Sequence, residues 1–276
     1  MGLVTIWLSK NVKSNVAVDL INPAHARWAL AVAILSVLFE KLPRFEANLF
    51  YDRHHLLFAT VCIAISCALV LLEKLSRIGL FLFTISIFVY AFSSWSAYHN
   101  HGWLSVWTIP AALAFGAKWW DSELYRFYLR ASLGIAMLAA CAQKVLAGTY
   151  LDGSFITFLS FYGGTTEQMF GFLCGPEAKL HSCTAHQGLG IFIVAWQAVV
   201  GVLLLIGVRN LLFLAIEIAF LLGAGIYADE MNFQVLNIAL LCVGFGYGMR
   251  IWIFILCSIF LIVDLYGISS IINHVL

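Results

Sequence analysis

Charge is what this chain has least of. Lys and Arg together number 15 and Asp and Glu 14, only 11% of 276 residues. Soluble globular chains carry roughly 25% charged residues. Hydrophobic residues reach 63%, and mean hydropathy is +0.96. So little charge cannot solvate a protein surface, so lipid must cover most of it. The formal net charge of +1 also removes the electrostatic basis for binding nucleic acid. Disordered, fibrous and small secreted classes are excluded by the same composition. Chemical motifs are scarce too. The sequence contains no Gly-rich phosphate loop, no HExxH, no GxSxG, no CxxC and no CxxCH. ATP-driven transport by this chain alone, covalent haem and CxxC-type redox chemistry therefore lack their residues.

What remains is a series of long apolar runs. Crossing hydrocarbon takes about 20 mostly apolar residues. The runs 25–42, 56–72, 78–96, 103–117, 127–147, 188–208, 210–228, 232–248 and 251–270 predict an all-α, polytopic transmembrane helical bundle. About nine spans are expected, or eight if one run is re-entrant. The first run ends in Glu40-Lys41 and the fourth contains Pro110, which makes them the weakest. The runs are continuous rather than alternating, so a β-barrel does not compete. Residues 1–24 read as an N-terminal segment, either an interfacial helix around Ile6, Trp7 and Leu8 or a flexible tail. The opening lacks the pattern of a secretory signal. Residues 25–276 read as one transmembrane domain with a long polar connection at 148–187.

Loop charge orients the bundle. With nine spans, Lys10, Lys13, Arg27, Lys74, Arg77, Lys118, Arg126, Arg130, Arg209 and Arg250 fall on one side. Lys41, Arg44, Arg53, Lys144 and Lys179 fall on the other. The expected arrangement is a cytoplasmic N-terminus, an outer C-terminus and an extracytoplasmic 148–187 connection; the bacterial inner membrane is what the resemblance described below implies. Cys62, Cys67, Cys141, Cys242 and Cys257 lie in apolar runs and read as packing residues. Cys174 and Cys183 lie in the polar connection, where an oxidising compartment permits a disulfide. Two free thiols, or a thiol–metal site with His181 and His186, are the alternatives. No metal motif has the right spacing.

Polar residues inside apolar runs need a reason, because a charge in hydrocarbon costs about 2.5–3.5 kcal/mol. Glu217 stands in LLFLAIEIAFLLG, and Arg130 is its expected ion-pair partner. Asp264, in the last run, reads as structural. Lys144 stands near the end of the fifth run, either snorkelling to the interface or acting as a base at the membrane boundary. Asp152 and Tyr150 follow it. His99, Asn100 and His101 form an outward turn between two runs. Asp229 and Glu230 precede Asn232, Gln234 and Asn237, which read as cavity lining or helix–helix glue. His54 and His55 have no assigned role.

Three stretches carry a resemblance. They are YHNHGWLSVWTIPAALAFGAKWWDSE, LYRFYLRASLGIAMLAACAQKVLAGTYLDGSFITFLSF and LLFLAIEIAFLLGAGIYADEMNFQVLNIALLC. They resemble the membrane core of the vitamin K-dependent gamma-carboxylase-like, or HTTM, superfamily over roughly residues 56–249. Asn100-His101 matches the family's Asn-His. Lys144 lies at its lysine region, and Tyr150-Leu151-Asp152-Gly153 matches its Trp-x-Glu-Gly. The resemblance implies Lys144 as base, assisted by His101 and Asp152, in an outer-face cavity that takes a quinone or quinol. His99, Asn100, Tyr150, Asp229, Glu230, Asn232 and Gln234 would surround it. This sequence departs from the family in three ways. Val145 stands in register with the carboxylase's reactive lysine. No Phe-His occurs in AFLLGAG, and no propeptide-binding domain is present, which argues against glutamate carboxylation. The nearer likeness is to bacterial membrane proteins that mature the sporulation-delaying peptide. The expected function is a modification or maturation factor acting on a peptide or lipid-soluble substrate. A non-enzymatic membrane subunit that anchors a larger complex is the alternative, and a transporter the third.

Overall fold

A computed structural model describes residues 23–93, 95, 100–161, 165–175, 178, 180–228, 230–246 and 257. The N-terminal segment through residue 22, the ninth apolar run apart from Cys257, and Asp264 lie outside the described residues. Eleven α-helices, and no strand, occur among the residues described. In chain order they are α1 (Pro23–Lys41), α2 (Phe45–Phe50), α3 (His54–Leu71), α4 (Ser76–Ser93) and α5 (Asn100–Thr108). They continue as α6 (Glu123–Ala147), α7 (Ser154–Phe161), α8 (Thr165–Cys174), α9 (Thr184–Leu205), α10 (Leu211–Ala228) and α11 (Met231–Phe245).

Five helices are long and apolar enough to cross a membrane. They are α3, Glu73–Ser93 (which contains α4), α6, α9 and α10. The expectation of eight or nine spans is therefore met only in part, for local reasons. Pro110 has no N–H to donate, so the α5 run stops at Thr108 and continues as a 3-10 segment, Pro110–Phe115. Helix α11 has 15 residues, about 22 Å long against ~30 Å of hydrocarbon. Its carboxyl end is set by Gly246 in the left-handed region, φ 78°. Helix α1 is long but carries Arg27, Glu40 and Lys41.

Helices α1 and α11 form the centre. α1 packs against α3 and α11, and α11 also packs against α6 and α10. Every residue from Ala29 to Ile34 is fully buried, as is nearly all of α11 from Gln234 to Phe245. A helix that is apolar all round is covered on every side, and alanines at 26, 29, 31 and 33 let neighbours approach α1 closely. The long helices differ, exposing Phe58, Phe81, Ile135, Phe192 and Ile216 outward, as lipid contact requires.

Polar groups within the bundle find partners locally. Thr60, Ser66 and Thr108 donate to carbonyls four residues back, at 2.8, 2.6 and 2.6 Å. Carbonyls left open at the end of α5 accept from α6, Thr108 from the Tyr125 hydroxyl at 3.1 Å and Trp107 from Tyr128 at 2.8 Å. Helices α6 and α9 cross where two glycines meet. A Cβ on Gly134 would lie 2.9 Å from the Gly201 carbonyl oxygen, so only glycine permits this separation.

The 148–187 connection is itself folded. Helices α7 and α8 pack on the start of α9 around buried Ile156, Phe170 and Ala178. Cys174 and Cys183 are joined by a disulfide with Cα atoms 6.2 Å apart, as their position in the connection predicted.

Candidate functional site

A cavity of about 570 Å³ opens between α6, α9, α10 and α11, with α7 and α8 closing one end. This is within the usual size range of small-molecule sites. Its wall is mostly apolar, with Met137, Phe155, Phe192, Phe220, Leu221 and Phe233 prominent. Lys144, Tyr150, Glu230 and Gln234, all singled out in the sequence, lie on this wall.

Local geometry explains how they meet. Helix α6 ends at Gly148, φ 74°, whose N–H bonds back to the carbonyls of Lys144 and Val145. The left-handed turn reverses the chain and brings Tyr150 beneath Lys144. The Lys144 ammonium lies 5.0 Å from the centroid of the Tyr150 ring, within cation–π range. Tyr150 is stacked in turn on Phe155, with centroids 4.4 Å apart. Gly190 of α9 holds this loop from behind, since a Cβ there would fall 1.9 Å from the Tyr150 carbonyl oxygen. Burial and the Glu230 charge push the Tyr150 hydroxyl up to about 12. Burial also raises the Glu230 carboxyl above its ordinary range, opposed by the charge of Lys144. Cation, carboxylate and phenol thus share one end of the cavity.

Deeper in the bundle the wall carries carboxamides. Gln234 is 6% exposed and its Oε1 has no hydrogen-bond partner among the described residues. The Gln197 Oε1 also lacks one. Asn237 is 1% exposed and donates to the Phe233 carbonyl at 3.0 Å. A buried polar atom without a partner costs about 1–3 kcal/mol. Two such oxygens on one cavity wall present acceptors to a ligand that bears O–H or N–H groups. Gln143 and Tyr227 complete the polar lining. Gln197, in IFIVAWQAVV, was visible as the single carboxamide of an apolar run.

Other expected site residues are placed differently. Asp152 faces solvent, where its Oδ1 accepts the Ser154 N–H at 2.8 Å and caps the start of α7. That bond and its partner hydroxyl hold the Asp152 carboxyl below its ordinary range. Asp152 therefore does not join Lys144 in the cavity. Asn232 is half-buried on α11 but not part of the cavity wall. Asn100 and His101 open α5, whose Leu104 lines the cavity, and their side chains lie outside the described residues. His99 and Asp229 are also outside them.

The expected Glu217–Arg130 ion pair is not formed. Glu217, 1% exposed, accepts from the Trp196 indole at 2.7 Å. Arg130, 3% exposed, donates to the Gly244 carbonyl in the last turn of α11. Such a carbonyl has no partner within its helix and lies at the negative end of the helix dipole, so it receives the guanidinium without a carboxylate.

No family model, curated protein or solved structure matches this chain.

Proposed function

We propose that this chain is an HTTM-type integral membrane protein that takes a lipid-soluble or peptide substrate into the cavity between α6, α9, α10 and α11 and acts on its polar end. The observation that carries the reading is the cavity itself, apolar along its length with Lys144, Tyr150 and Glu230 gathered at one end. Lys144 is the base or substrate contact, positioned by the Tyr150 ring, and Glu230 balances its charge. A quinol would be held by the Gln197 and Gln234 oxygens, which are open to accept from hydroxyl groups, with the aromatic wall against its ring and tail. When bound, a quinol would supply reducing equivalents. The chain's residues orient it, exclude water and hold a proton at the Lys144 Nζ. The membrane is proposed to be a bacterial inner membrane, with the N-terminus cytoplasmic and the Lys144 end of the cavity outside. A reporter active only outside the cytoplasm, fused after Leu276, is expected to be active and one fused after Asn15 silent.

The test of the site combines ligand analysis with substitution. Purified in mild detergent, the protein is expected to carry an extractable quinone or peptide, lost at least tenfold in Lys144→Ala and retained in Asp152→Asn. If Lys144→Ala and His101→Ala both leave a cell-based modification or maturation assay intact, the assignment is wrong. Stoichiometric partner subunits with an empty cavity would instead support an anchoring role.

A further inference from the structure

The Cys174–Cys183 bridge stands apart from the cavity chemistry, and its two sulfurs are not equivalent. Cys183 is the N-cap of α9, a helix of 22 residues, and its Sγ accepts the His186 backbone N–H. A thiolate at that position gains from the unpaired N–H groups and from the positive end of the helix dipole. Cys174 is the last residue of α8. A thiolate there faces the negative end of a dipole. Breaking the bridge therefore favours charge on Cys183.

A third group completes the cluster. The ligand atoms of Cys174, Cys183 and His186 all lie within 4.8 Å of one another. His186 is fully buried, with its ring edge-on to Phe170 at 4.3 Å. Its Nδ1 accepts the Cys183 N–H at 3.3 Å and contacts the Thr157 hydroxyl at 3.0 Å, while its Nε2 has no partner among the described residues. Both cysteines are only half-buried, and Phe172, Leu173 and Leu180 beside them are exposed. By contrast Cys62, Cys242 and Cys257 are buried.

We propose that Cys174–Cys183 is a redox-exchanging disulfide that oxidises a peptide or protein dithiol. A substrate thiolate attacks the Cys174 Sγ. The substrate-S–Sγ174 bond forms, the Sγ174–Sγ183 bond breaks, and its electron pair leaves on Cys183 as thiolate. The second substrate thiol then attacks the substrate sulfur of this mixed disulfide and expels Cys174. The substrate loses two electrons and two protons and becomes a disulfide, and Cys174 and Cys183 gain them as two thiols. His186 is a positioning residue, holding the Cys183 backbone and so the N-cap geometry. This activity is independent of what the cavity binds.

The experiment uses the purified full chain in mild detergent and glutathione redox buffers, with acid quenching, thiol tagging and peptide mass analysis. The bridge is expected to equilibrate with glutathione, and the trapped mixed disulfide to fall on Cys174. In the reduced protein, Cys183 is expected to be alkylated half-maximally below the pH of about 8.5 for an ordinary cysteine. His186→Ala should raise that midpoint and slow exchange at least tenfold, with His186→Gln intermediate. A bridge that stays oxidised for hours in excess reduced glutathione while the protein remains folded would overturn the proposal. So would a mixed disulfide on Cys183, or stoichiometric zinc binding that shields the reduced thiols. The wild-type readings do not depend on whether cysteine variants fold.

Discussion

The Glu217–Trp196 contact makes a quantitative prediction. Glu217 is 1% exposed and accepts from the Trp196 indole at 2.7 Å. Glu217→Leu leaves the indole N–H buried without an acceptor, which costs about 1–3 kcal/mol. Trp196→Phe removes the donor and leaves the carboxyl without it. The smaller ring can retain some contact with Phe192 and Phe220, now 6.2 and 5.8 Å away between centroids. Each single variant mixes this loss with changes in apolar volume, so the double-mutant cycle is the measurement. Glu217→Leu/Trp196→Phe replaces both polar partners together. It should be more stable than the sum of the singles by about 1–3 kcal/mol. The assay is reversible unfolding in mixed micelles, where 1 kcal/mol moves Tm by roughly 2–4 °C at this chain size. Strict additivity would refute the contact. A parallel cycle of Arg130→Met with Glu217→Gln should be additive within about 0.5 kcal/mol, because the two residues have different partners. Coupling well above that would restore the ion pair and refute the assignment of Arg130 to the end of α11.

Other outcomes follow from single positions. Asp152 has a folded pKa below its unfolded value, so its contribution to stability is complete above the unfolded pKa of about 3.9 and is lost as pH falls through the lower folded value. Asp152→Asn should flatten that acid limb in a Tm-versus-pH series. Glu230 is opposite in sign. Its raised pKa makes ionisation cost stability as pH climbs from about 4.3 through the folded value, and Glu230→Gln should remove that loss in the same series. Gly134→Val forces a side chain against the Gly201 carbonyl and should cost about 1–3 kcal/mol in the micelle assay, Gly223→Ala much less. Gly190→Ala should displace Tyr150 and reduce cavity ligand binding although residue 190 is not on the cavity wall.

Helix positions were legible because hydrocarbon demands long apolar runs, and those runs are plain in the sequence. Whether a run faces lipid or protein was not legible, because both environments select the same side chains. Helix α1 reads as a span weakened only by the charges at its end, yet its residues 29–34 are enclosed completely. The same ambiguity hid the partners of Glu217 and Arg130. Pairing depends on how each helix is rotated, and a run that is apolar on every face carries no rotational signal. Lys144, Tyr150, Glu230 and Gln234 were legible because each is a polar residue within or next to the end of a long apolar run, and the structure brings them onto one wall. Asp152 shared that signal but caps a helix. An acidic residue two positions before a helix start serves that purpose equally well.

The central position of α1 bears on how the protein is made. Helix α1 is translated well before the helix that covers it, α11, which begins at Met231. The roughly 190 residues between them take about 10–40 s to translate at ~5–20 residues per second. Throughout that interval the face of α1 that packs on α11 has no final partner, although Arg27 meets Glu73 and Trp120 earlier. A nascent chain of this protein therefore depends on something that shelters that face of α1 until α11 arrives. Truncation before α11 should send the product to degradation rather than yield a smaller stable protein.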